Sequence, residues 1–92
     1  MADDERLTHP SGELAQLTAA VTTARARLDR AQRRQYDQEC ALHDARSAKV
    51  DAWIAAAYDR LHEAISDVRH ATADLVAAQA AVHNFHTQVV VS

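Results

Sequence analysis

Six histidines in a chain of 92 residues are the first place to look for chemistry, because Asp59-x-x-His62, Asp67-x-x-His70 and His83-x-x-His86 each put two metal-ligating types three residues apart. On a helix that spacing makes neighbours. A centre needs more than a pair, however, and di-iron bundles aim Glu-x-x-His motifs into the core. In the helical frame described below, Asp59, His62 and His70 fall on outward positions, and nothing within one chain supplies the remaining ligands. No metal and no other cofactor is therefore expected. His83 and His86 stand in a stretch without charged residues, where protonation at about pH 6 places charge in a neutral contact, so a pH-sensing role suits them better. Cys40 and His43 are one turn apart like a nucleophile and its base. A regular exposed helix offers neither pocket nor oxyanion donor, so the chain reads as non-enzymatic, with no catalytic residue and no small-molecule substrate.

Five arginines, Arg25, Arg27, Arg30, Arg33 and Arg34, lie within ten residues, and Arg27, Arg30 and Arg34 share one helical face. Such a face can grip phosphates, which gives one alternative reading, a nucleic-acid-associated protein using the Arg25 to Arg34 segment. Several features weigh against it. Asp29 and Asp37 sit inside the patch, no aromatic residue interleaves it, and Asp67 and Asp74 further along offer ion-pair partners. The whole chain carries a net charge of −3 with pI ≈ 6.0, the wrong balance for a general polyanion binder. The face reads instead as an electrostatic surface for a protein partner.

The elements that position these groups follow from a seven-residue repeat. Ile54, Leu61, Val68, Leu75, Val82 and Val89 stand seven apart, and the residues three further on are Ala57, Ala64, Ala71, Ala78 and Phe85. In the heptad notation a to g these are a and d positions, with large a and small d side chains. The first half repeats the habit, with Leu14, Val21, Leu28, Gln35 and Leu42 at a and Leu17, Ala24, Ala31, Gln38 and Ala45 at d. The two frames do not join, since the step from Leu42 to Ile54 is neither whole heptads nor a stutter or stammer. A reversal is predicted there. The polar run His43 to Asp51 can make it, with Ser47 or Asp51 capping the second helix.

The fold class predicted is all-α, an antiparallel two-helix hairpin of the Ala-rich coiled-coil kind, with a helix over about 12–46, a turn over about 47–51 and a helix over about 52–90. Residues 1–10, which end in the only proline, are expected to form a flexible leader, with 11–92 as a single domain and Ser11 as the first N-cap. Antiparallel packing sets a opposite d. One register layers Leu14 on Phe85, Leu28 on Ala71 and Ala45 on Ile54; another, one heptad shifted, sets Leu42 on Val50 with a tighter turn at Arg46. The apolar repeat does not separate the two. The first is preferred because it leaves Ser47 to Asp51 free to turn and pairs the bulky Leu14 and Phe85.

Leu14 to Ala24 and Leu75 to Ser92 contain no Asp, Glu, Lys or Arg, and the hairpin lays them side by side. Helices with no charged face are usually covered. Leu14, Leu17, Val21, Val82, Phe85 and Val89 are accordingly expected to form a homodimer contact, giving a four-helix bundle. Trp53, Tyr58 and Ile65 flank the seam near the turn and are candidates for a second contact. No apolar run of about 18 residues could span a bilayer, and the acidic N-terminus is unlike a signal peptide. With one cysteine and no internal disulfide, a cytoplasmic setting is expected. Arginine outnumbers lysine nine to one, which fits a bacterial or phage coding sequence.

In length, two-helix layout and a Trp near the middle, the chain resembles the WXG100 type of helical-hairpin protein, secreted as dimers. Trp53-Ile54-Ala55 lacks the glycine of that motif. Tyr58 is followed at the fourth place by His62, where the Tyr-x-x-x-Asp/Glu export signal needs an acid. The resemblance implies a secreted hairpin dimer as a further alternative. The main expectation remains a small regulator or inhibitor of bacterial or phage type, a protein-protein interaction module that acts as a dimer on a larger protein.

Overall fold

The computed structural model describes the backbone of residues 2–91 and the side chains of residues 12–89. Among the described residues the chain forms two helices, α1 (Ala2–Ala48) and α2 (Asp51–Val91), and they pack against each other. This is the all-α helical hairpin that the two offset heptad frames require. Alanine, leucine, glutamine and arginine fill both segments, and these are strong helix formers. Beyond Gly12 neither helix contains a glycine or proline. α1 starts at Ala2 and so runs through the leader expected over 1–10 and past the expected Ser11 cap, residues whose side chains lie outside those described.

The reversal is tighter than the sequence suggests. It takes two residues, Lys49 and Val50, and it corrects the expected capping. Lys49 adopts φ 59°, the left-handed conformation that ends many helices. Its N–H donates to the carbonyls of Ala45 at 3.1 Å and Arg46 at 3.2 Å, satisfying acceptors that α1 leaves open. The Val50 carbonyl accepts the N–H groups of Trp53 and Ile54, each at 3.0 Å, so Val50 holds the N-cap place of α2. Ser47 stays inside α1 with its hydroxyl donating to the His43 carbonyl at 3.0 Å. Asp51 lies in the first turn of α2 and Arg46 in the last turn of α1, where each charge suits the helix dipole.

Register is fixed by two ion pairs. Arg27 Nη1 donates to Asp74 Oδ2 and Arg34 Nη1 to Asp67 Oδ2, both at 3.1 Å. All four residues are at g positions, and antiparallel packing brings the g flanks of its two helices together. The pairs advance one heptad on α1 while retreating one on α2, which matches Leu28 layered on Ala71 and Ala31 on Val68. The tighter alternative, with its turn at Arg46, is excluded by a helix that continues to Ala48.

The core is unusually thin. Among the described residues the buried side chains are Ala24, Ala31, Ala45, Ala57, Ala64 and Ala71, all at d. The larger a residues, from Leu14 to Leu42 and from Ile54 to Val82, are half-buried, because a two-helix pair covers one side of each. Small d residues bring the backbones close but leave the flanks of the seam in contact with water. The molecule measures 68 × 25 × 13 Å with a radius of gyration of 20.5 Å, against about 13 Å for a compact domain of this size. Its accessible surface is 7029 Å², where a globular protein of this mass exposes roughly 5,300 Å².

Candidate interaction surfaces

The open end of the hairpin brings together the residues of the expected dimer contact. Leu14, Leu17, Val21, Val82 and Phe85 are half-buried there, Val89 is 54% exposed, and Val76 on the outer face of α2 is 58% exposed. No Asp, Glu, Lys or Arg interrupts this surface from Leu14 to Ala24 or from Leu75 onward. Threonines in and beside it bond to their own helices. Thr22, Thr72 and Thr87 each donate the hydroxyl to the carbonyl four residues earlier, Thr18, Val68 and His83, at 3.2, 2.7 and 3.0 Å. A hydroxyl spent on its own helix offers less to water, so these residues act more like small aliphatics. His83 and His86 are exposed on this end, with the His86 ring centroid 6.3 Å from that of Phe85.

The arginine face also forms as one surface. Arg27, Arg30 and Arg34 line an open groove together with Asp67, His70 and Asp74, and its floor is Ala31 and Ala71. The helix frame explains the arrangement: d alanines form the bottom, g residues the walls, and the c residues Arg30 and His70 the rims. Arg27 and Arg34 spend one nitrogen each on a carboxylate. Side chains in these pairs remain 46 to 64% exposed, and exposed pairs contribute about 0–1 kcal/mol each. Their value lies in register and in holding the guanidinium groups in place. Two carboxylates within the groove dilute the positive field that a phosphate backbone would need.

Trp53, Tyr58 and Ile65 do not make a single patch. Trp53 is at a g position on the ion-pair flank and is 60% exposed, whereas Tyr58 and Ile65 are at e positions on the opposite flank. At 100° per residue the two groups lie more than a quarter-turn apart. Tyr58 instead sits beside His62, with ring centroids 6.4 Å apart.

Two features escaped the sequence reading. Tyr36 is 67% exposed, and the Cys40 side chain one turn on raises its phenol above the ordinary 10.0, first as a hydrogen-bond partner and then through its charge. The thiol thus acts on a phenol, an influence that the Cys40 and His43 spacing concealed. Gln38, at d, has its Oε1 shielded from water without a hydrogen-bond partner, while Gln35 at the neighbouring a position donates from Nε2 to Glu39 Oε1 at 3.1 Å. Two glutamines in adjacent seam positions read as a weak stretch, but which amide stays unpaired depends on side-chain geometry.

Among the described residues no group of three or more His, Cys, Asp or Glu side chains converges as a metal site would require, and no helix is long and apolar enough to cross a membrane. Comparison with protein-family models, with curated proteins and with solved structures finds no match. The likeness to the WXG100 type therefore rests on layout alone.

Proposed function

We propose that this protein is a non-enzymatic interaction module that pairs with a second copy through its chargeless open end and offers the arginine-bearing half to a larger protein. One observation carries the reading: among the described residues a single hairpin buries alanines and no larger side chain. Folded domains normally bury their Leu, Val, Ile and Phe. Here those residues wait half-covered along an end with no charge to keep it in water. Two such ends laid together make a four-helix bundle in which Leu17, Val82 and Phe85 become core.

The surface figures leave room for both contacts. The excess over a globular protein of equal mass is roughly 1,700 Å², and a standard interface takes about 800 Å² from each partner. One homodimer contact therefore removes about half the excess. A cytoplasmic regulator or inhibitor of a bacterial or phage assembly is the setting that size, the single unpaired cysteine and the arginine bias support.

Sedimentation equilibrium tests the pairing. The expected result is a dimer at micromolar concentration that becomes a monomer on Leu17→Asp or Phe85→Asp, with helix content retained. A wild-type chain that stays monomeric at high concentration overturns it. The nucleic-acid reading would be favoured by DNA binding with a steep salt dependence that is lost when Arg27, Arg30 and Arg34 are changed to Glu.

A further inference from the structure

Between the two ion pairs the groove has an opening one heptad long, about 10 Å at the helical rise. Its ends are closed by Arg27 with Asp74 and by Arg34 with Asp67, and its floor is Ala31 and Ala71, 9% and 3% exposed. Arg30 stands over the middle. No carboxylate pairs with it among the described residues, although arginines on either side of it are both engaged. The groove thus holds a small apolar pocket floor and one uncommitted guanidinium, with three arginines against two aspartates.

We propose that this opening is the docking point for a helix of the partner protein, and that it recognises one acidic side chain on that helix through Arg30. The inference rests on the partner-binding role proposed above and names the chemistry of that partner. The alanine floor lets a neighbouring helix approach closely, as small residues do wherever helices pack tightly. A Glu or Asp at the contact then reaches Arg30 and the unused nitrogens of Arg27 and Arg34, and a planar guanidinium suits a carboxylate well. A phosphodiester chain fits poorly. Its charges recur every few ångströms, so a strand following the groove would run onto Asp67 and Asp74, the walls at each end.

The test uses the full chain, isotope-labelled for NMR, and three probes: an alanine-based helical peptide of three heptads with one central Glu, the same peptide with Gln, and a 20-base single-stranded DNA. The Glu peptide is expected to move the Arg30 side-chain signal and the Ala31 and Ala71 amide signals. Binding should weaken about tenfold with the Gln peptide or with Arg30→Gln, a loss typical of one charge-assisted contact. Equal binding of the Glu and Gln peptides overturns the proposal. So does DNA binding tighter than that of the Glu peptide, with shifts spread over Arg25 and Arg33. Sedimentation of the Arg30→Gln variant separates the two readings. An unchanged oligomeric state supports the assignment, while a dimer dispersed by this change would place Arg30 in self-association and overturn it. A wild-type monomer that keeps the Glu preference would remove the dimer and leave the docking point standing.

Discussion

Gln38 is where the seam is least satisfied. A shielded amide oxygen with no partner costs free energy that an apolar group of similar size does not, and in the observed register Gln38 faces Leu61. Replacing it with leucine should raise stability by about 1 kcal/mol, the lower part of the usual range because the residue is only half-buried. An upward shift of the urea midpoint with unchanged slope would show this, and a downward shift would mean the amide has a partner in solution. Tyr36 offers a test of a different kind. Its phenol is raised above 10.0, first by the hydrogen bond to Cys40. A folded value above the unfolded one means that the neutral phenol is favoured by the fold. That contribution is present below pH 10.0 and is lost as pH rises through the higher folded value. Ultraviolet titration should find the Tyr36 phenol displaced above 10.0, and Cys40→Ala should bring it back toward that value. A Tyr36 titration that Cys40→Ala leaves unchanged would contradict the influence of the thiol.

The helices and their pairing were legible in the sequence for a simple reason: the seam residues recur every seven positions and the frame breaks once, between Leu42 and Ile54. The register was legible too, but in the flanking charges and not in the apolar repeat. One heptad of slip would set Arg34 against Arg60 and leave Asp74 facing Ala20, whereas the observed register joins Arg34 to Asp67 and Arg27 to Asp74. The same flank carried the candidate groove, because Arg27, Arg30 and Arg34 share a face whatever the register. Trp53, Tyr58 and Ile65 do flank the seam near the turn, but the g position of Trp53 and the e positions of the other two set them on opposite sides of it. The turn was least legible. Its signals, Ser47 and Asp51, are good capping types, yet the chain turns at Lys49 and Val50, whose side chains have no special preference for it. Lys49 therefore carries the strain of a left-handed residue with a Cβ, and Lys49→Gly should stabilise the hairpin by about 1 kcal/mol. A lower thermal midpoint for that variant would indicate that the turn in solution is built elsewhere.

A rod one helix pair wide cannot hide its larger apolar side chains by itself, so its stability ought to depend on how many copies are present. The buried alanines contribute little apolar area, while the half-buried Leu, Val and Phe residues of the open end gain theirs only when a neighbour covers them. If two chains unfold from one four-helix bundle, mass action makes the thermal midpoint rise with concentration, since the associated state is favoured by RT ln 10 for each tenfold increase. For a dimer of this size the expected rise is about 4 °C per tenfold, from the usual unfolding entropy per residue. Circular dichroism melts from about 5 to 500 μM should therefore spread over several degrees, and Phe85→Asp should both lower the midpoint and remove the spread. Arg30→Gln should lower neither, because Arg30 stands on the rim of a groove outside the chargeless end. A midpoint independent of concentration in the unaltered chain would mean that the alanine seam suffices alone, and the exposed end would then need another explanation.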